Sequence, residues 1–185
     1  VEKLKPTIVR GVSGVGGVFE EKMVRNMAKE NDRPIIFSLS NPTSKSECTA
    51  EEAYSWSEGK AIFASGSPFE NVRLNGKTYH PGQGNNAYVF PGVGLGVVAS
   101  GATRVSDEIF LVAAHALANT VKEENLERGT VYPALAEIRD VSKRIAVAVA
   151  QEVYNSNLAS QPCPDDLERH IEETMYSPHY ESYID

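Results

Sequence analysis

The sequence predicts an α/β fold: a parallel sheet, only part of which lies within these residues, followed by C-terminal helices and a tail. Three observations carry this prediction. Three short runs, apolar on both faces, alternate with stretches of helical spacing, which is the pattern of parallel βαβ units. Each run ends in glycine or in a Ser-Asn-Pro break, as strands that feed tight turns do. Beyond Phe90 the extended runs stop and apolar residues recur at helical intervals.

The first run is Thr7 to Val12, β-branched and closed by GVSGVGG. Phe19, Met23, Val24 and Met27 then share one face of a helix. Pro34 opens the second run, PIIFSLSNP, and SNP turns the chain. Thr49 and Glu52 are spaced as a capping box for a helix through Trp56, with Gly59 as its stop. AIFASGSP, residues 61–68, is the third strand. NVRLNGKTYH follows, with a hairpin turn at Asn75-Gly76, an excursion expected on the rim of the sheet. AYVF, 87–90, has the composition of a further strand.

Residues 92–102, rich in Gly, Val and Ala, predict a helix packed closely on a neighbour. Ser106 is placed to cap the next helix, whose apolar stripe is Ile109, Phe110, Ala113, Leu117 and Val121. Pro133 suits a first helical turn, and Ile138, Val141, Ile145, Val149 and Val153 repeat at helical spacing after it. Past Pro162 a polar, tyrosine-rich tail predicts a helix and an extended arm, placed on the surface or on a partner subunit.

Composition narrows the function. A formal charge of −7 does not suit nucleic acid, which calls for a basic face. No apolar run reaches the roughly 18 to 20 residues of a membrane span. The two cysteines, Cys48 and Cys163, lie far apart, so neither a disulfide framework nor a zinc site is indicated and an intracellular setting is expected. The first residues carry no initiator methionine and no signal-peptide pattern, so the chain reads as a piece of something longer.

Three stretches are placed to meet a ligand. In GVSGVGG, Gly14 and Gly16 let the backbone approach a phosphate or ribose at a helix N-terminus, although the spacing is not GxGxxG and a plain βα turn would look the same. Ser40 and Asn41 follow a strand, where ligands of parallel sheets sit, yet Asn41 could equally start a turn before Pro42. In GQGNN, Asn85 and Asn86 offer amides that both donate and accept, with an Asx turn as the plain alternative. Ser65 and Ser67 read as turn formers. His80, His115, His170 and His179 have no partner at metal or triad spacing, and the acidic pairs sit on solvated helix faces. Nothing supplies an obvious general acid, base or metal cage.

RPIIFSLSNPTSKSECTAEEAY, AIFASGSPF and PGQGNNAYVFPGVGLGVV resemble the C-terminal half of the NAD(P)-dependent malic enzymes. The likeness runs from KPTIVRGVSGVGG to TVYPALAEIRDVSKRIAVAVA, and the MYSPHY tail is similar to animal-type members. It implies the C-terminal part of a Rossmann-type cofactor domain over residues 1–105, helices packed on that domain over 106–160, and a C-terminal tail over 161–185, on the surface or in contact with another subunit. It implies oxidative decarboxylation of malate to pyruvate and CO2, with NAD or NADP as acceptor, Mg²⁺ or Mn²⁺ as the metal, and a homotetramer in the mitochondrial matrix or cytosol. By the same likeness Asn41 touches substrate and the nicotinamide ribose, Asn85 binds a malate carboxylate, Asn86 lies beside the nicotinamide, and Gly14, Gly16 and Ser40 line the cofactor cleft. The family's tyrosine acid, lysine base, carboxylate metal ligands and main dinucleotide fingerprint lie upstream of the matched stretch, so no catalytic residue and no metal ligand is expected here. On the residues alone, a non-catalytic nucleotide-binding or regulatory module also fits.

Overall fold

The structure, a computed structural model, describes residues 3–178. It opens with strand β1 (Ile8–Gly11), helix α1 (Glu21–Glu30), β2 (Ile35–Ser38), a 3-10 turn at Thr43–Lys45, helix α2 (Ala50–Trp56) and β3 (Ile62–Ser65). A hairpin of β4 (Val72–Leu74) and β5 (Lys77–Tyr79) precedes the two-residue strand β6 (Gly82–Gln83). The main sheet has the order β1-β2-β3-β6, and every pairing in it is parallel. In-register pairs such as Gly11 with Ser38 and Ser38 with Ser65 align the strand ends. Four carboxyl ends therefore open on one edge.

The local signals act as expected in most places. The Thr49 hydroxyl accepts from Glu52 N at 3.1 Å while the Glu52 carboxylate accepts from Thr49 N at 2.8 Å, a complete capping box. Asn75 and Gly76 both adopt positive φ, 51° and 77°, as a tight two-residue hairpin turn requires. The hairpin is not a bare excursion on the rim: Val72, Leu74 and Tyr79 pack against the core of Phe19, Val24, Ile36, Tyr54 and Phe63. Tyr54 and Tyr79 lie 4.7 Å apart between ring centroids, within the range of favourable aromatic pairs.

Two expectations for this part need correction. Strand β1, whose apolar run suggested burial on both faces, has β2 as its single neighbour among the described residues, with Ile8 54% exposed and Val12, just past its end, 69% exposed. AYVF is no strand: Asn86–Tyr88 forms a 3-10 turn and helix α3 (Phe90–Ser100) starts at Phe90. Pro91 explains the switch, since its fixed φ suits a first helical turn and its missing N–H would cost a sheet a bond.

The remaining elements are α4 (Asp107–Ala118), α5 (Glu123–Glu127), a 3-10 turn at Leu135–Glu137, α6 (Ile138–Asn155) and α7 (Leu167–Thr174). The chain falls into two compact units, residues 1–86 with 121–134, and residues 87–120 with 135–185. In the first unit, the segment around α5 returns to the sheet and sets Tyr132 against Phe37, with ring centroids 6.2 Å apart.

In the second unit, α3 packs on α6 through glycine. A Cβ on Gly92 would stand 2.6 Å from Ile145 Cβ, and one on Gly96 2.7 Å from the Ala146 carbonyl. The α6 stripe is as expected, with Val141, Ile145, Val149 and Val153 all buried. Each such side chain contributes about 1.5 to 3 kcal/mol by leaving water. The α4 stripe is narrower than expected: Ile109 and Ala113 are buried, but Phe110 is 45% exposed. Ser106 does stand at the N-cap of α4, yet its side chain makes no cap bond to the backbone and instead holds the Glu108 carboxyl below its ordinary range. Pro133 precedes a 3-10 turn, so α6 itself begins five residues later than that proline suggested. The tail contains α7, capped where the Asp166 carboxylate accepts from Arg169 N at 3.0 Å. The expected extended arm, with His179, lies outside the described residues.

Candidate functional site

The candidate site is the carboxyl edge of the parallel sheet, where four short loops leave β1, β2, β3 and β6. The loop after β1 holds Gly14 at φ 69° and Gly17 at φ 74°, a left-handed conformation that disfavours any side chain. A Cβ added at either would meet nothing within 4 Å, so both face open space. Gly16 differs: its Cβ would stand 2.6 Å from the Ser44 carbonyl, so here glycine serves close packing on the turn after β2. Gly17 N donates to Ser46 O at 3.2 Å across the same seam.

The structure brings Gly14, Gly16 and Ser40 together. Gly14 N donates to the Ser40 hydroxyl at 2.9 Å. Asn41 stands next to the loop after β3, where the Ser67 hydroxyl donates to Asn41 Oδ1 at 2.6 Å. A Cβ on Gly66 would collide with the Leu39 carbonyl and come within 2.7 Å of Asn41 Nδ2. Ser65 performs the turn duty expected of it, donating to Ser67 O at 2.7 Å. The loop after β6 joins the group through Gly84, whose N donates to Ser65 O at 2.8 Å and whose absent Cβ would stand 2.9 Å from Leu39. Asn85 and Asn86 follow on that loop, both exposed.

One functional candidate was missed by sequence reasoning. Glu47 has no exposed surface, and its carboxylate accepts from Ser13 N and Ser13 Oγ, both at 2.8 Å, and from the Ser40 hydroxyl. Its second oxygen accepts from Ser38 Oγ at 3.1 Å and Ser40 N at 3.3 Å. Burial pulls its pKa upward, but the donors from Ser40 and Ser13 outweigh it and hold the group down at about 2. Gly11 makes the space: a Cβ there would lie 2.5 Å from Glu47 Cγ and Cδ. The only sequence signal was an acidic residue in a serine-rich turn, SKSEC, whose partners lie up to 34 positions away.

The described histidines lie away from this edge. His80 pairs with Asn71 at 3.0 Å on the surface, and His170 meets the Ala99 carbonyl at 3.0 Å between α7 and α3. Among the described residues no group of three or more His, Cys, Asp or Glu side chains is placed to hold a metal ion. The edge does fit a nicotinamide dinucleotide. Open glycine backbone at Gly14 leaves room for close approach, and the 40–41 and 85–86 loops bring hydroxyl and amide groups to the same edge. No described helix is long and apolar enough to cross a membrane.

A parallel sheet with a glycine turn and neutral polar loops gathered on its carboxyl edge defines an open α/β domain of the nucleotide-binding class. The chain belongs to the malic enzyme NAD-binding domain family: residues 1–154 match the family described as "Malic enzyme, NAD binding domain". It is similar to the chloroplastic NADP-dependent malic enzyme of Oryza sativa, 54% identical over 99% of this chain and 29% of that protein. A comparable likeness, 52% identity over 100% of this chain and 33% of the relative, links it to the NADP-dependent malic enzyme of Anas platyrhynchos. Among solved structures, the malic enzyme of Pyrococcus horikoshii superposes with a TM-score of 0.67 at 27% identity, covering 91% of this chain and 34% of that one. The Entamoeba histolytica malic enzyme shares the fold with a TM-score of 0.71 at 23% identity, covering 92% and 33%. The chain thus spans about a third of the length of the relatives it matches.

Proposed function

We propose that this chain is the substrate- and cofactor-facing wall of a malic enzyme that converts malate to pyruvate and CO2 while reducing NAD or NADP. The observation that carries the reading is the coincidence of a malic-enzyme family match over residues 1–154 with a carboxyl edge lined by Gly14, Ser40, Asn41, Asn85 and Asn86. In this reading Asn85 grips a malate carboxylate through its amide, and Asn41 reaches both substrate and the nicotinamide ribose. Asn86 lies beside the nicotinamide, and Gly14, Gly16 and Ser40 line the cofactor cleft. When bound, the dinucleotide supplies the hydride acceptor and Mg²⁺ or Mn²⁺ supplies Lewis acidity. The residues of this chain orient the reactants, and orientation alone is a large part of what an enzyme contributes. The acid, the base and the metal ligands belong to segments other than this one. A homotetramer acting in the mitochondrial matrix or cytosol accompanies the reading.

The test is nicotinamide reduction by the full-length protein with malate, Mn²⁺ and either NAD or NADP. Malate-dependent reduction with pyruvate formed supports the reading and separates the two cofactors. In the same assay Asn85→Ala should raise the KM for malate about tenfold or more, the loss of a hydrogen bond to a charged group. An unchanged malate KM would remove Asn85 from the substrate site. A folded, metal-loaded protein that turns over with neither cofactor would favour a non-catalytic nucleotide-binding module.

A further inference from the structure

We propose that Glu47 is a positioning residue for the nicotinamide half of the cofactor: its carboxylate ties the loop after β1 to the loop after β2 and so sets where Ser13, Gly14 and Ser40 stand. The proposal rests on the malic-enzyme reading, because it takes the ligand of this edge to be a dinucleotide.

The geometry is that of a clasp. One carboxylate, fully buried, receives Ser13 from the first loop and Ser40 from the second, each through both a backbone N–H and a hydroxyl. The Ser40 hydroxyl also accepts from Gly14 N at 2.9 Å, so the carboxylate acts on the open glycine through one intermediate side chain. Only an ionised carboxylate takes donors on both oxygens without bringing a donor of its own. A glutamine in its place keeps one oxygen and turns an NH₂ group toward the other donors, so either Ser13 N or Ser40 N loses its acceptor. A buried charge is costly unless it is paired or hydrogen-bonded, and these donors satisfy the carboxylate.

The clasp sits at the edge and not in the apolar core. Its partners are Ser13 and Ser40, each two residues past a strand, together with buried Ser38 at the end of β2, and the glycine it steadies faces open space. Phe19, Ile36, Tyr54 and Phe63 form the buried apolar cluster of this unit, and Glu47 meets it through its own backbone carbonyl, which accepts from Phe19 N at 2.9 Å. Gly11, which lacks the Cβ that would strike Glu47, belongs to the same device.

The experiment is equilibrium binding to the full-length protein by titration calorimetry, using NADP and 2′-phospho-ADP-ribose, with NAD and ADP-ribose as the matched pair. The truncated nucleotides keep the adenosine half and lack nicotinamide. Glu47→Gln should raise the Kd of the intact dinucleotide about tenfold, as loss of one charge-assisted hydrogen bond does, while the truncated nucleotide changes by less than about twofold. Glu47→Asp, which keeps the charge, should recover part of the loss. Equal weakening of intact and truncated nucleotides would make Glu47 a brace of the whole domain and overturn the proposal, as would no change in either. If wild-type protein binds neither nucleotide, the malic-enzyme reading itself falls and the proposal with it. Should Glu47→Gln fail to fold, Ser40→Ala removes only the hydroxyl between Glu47 and Gly14. It must then show the same selective loss, at smaller size, for the proposal to stand.

Discussion

At the scale of single residues, burial and hydrogen bonding act on Glu47 and Cys48 in opposite directions although they are neighbours. Donors keep the Glu47 carboxyl at about 2, below its ordinary 4.5, whereas burial pushes the Cys48 thiol up to about 12. The sign of the first effect follows from linkage. As pH falls below 4.5 the unfolded chain takes up the proton before the folded one, so stability present at neutral pH is lost between 4.5 and about 2. Urea titrations across that window should show a shallower acid loss for Glu47→Gln than for wild type; parallel curves would mean the carboxylate is not held as described. Cys48, buried and protonated, should resist iodoacetamide under native conditions while exposed Cys163 reacts. Peptide mass spectrometry after short labelling reads this directly, and equal labelling of the two would contradict the packing around Cys48. Residue identity alone did not reveal Glu47, since nothing in SKSEC distinguishes a clasp from a solvated turn. Its meaning is non-local: the partners come from two other strand ends.

At the scale of elements, the clearest lesson is α3 and its three spaced glycines. Gly92 and Gly96 are buried against Ile145, Ser142, Ala146 and Val149 of α6, while the Gly94 position opens on nothing within 4 Å. Gly92→Ala and Gly96→Ala should each destabilise by about 1 to 3 kcal/mol through overpacking. Gly94→Ala should be neutral or stabilise by up to about 1 kcal/mol, because alanine is the better helix former. Chemical denaturation of the three variants separates the effects, and a uniform response would show that the helices are not packed through those two glycines. The sequence reading anticipated close packing of residues 92–102 because small residues cluster there. It mistook AYVF for a strand because β-branched and aromatic residues prefer strands, and it underweighted Pro91. Strand β6 escaped notice for the converse reason, as Gly82-Gln83 has no strand propensity and pairs only because β3 offers its free side. The hairpin and the capping box were legible since each is complete within four residues.

At the scale of the whole chain, direction matters more than content. The sheet's two margins are unlike. On one side β6 is two residues long and lies between Pro81 and Gly84, which leaves little backbone for another strand to engage. On the other, β1 has β2 as its single neighbour among the described residues, and Ile8 and Val12 stand exposed. Growth of this sheet is therefore one-sided: an added strand, from this polypeptide or from another copy, has to dock along β1. When the 185-residue chain is made alone, that margin should nucleate self-association, visible as concentration-dependent mass in light scattering. Ile8→Lys should suppress it, as charged residues do on natural sheet margins. The same one-sidedness gives the chain a polarity of assembly. A parallel strand docked there would set its own loop beside the Gly14 turn, so the carboxyl edge would broaden on the β1 side while its β6 end stays as it is.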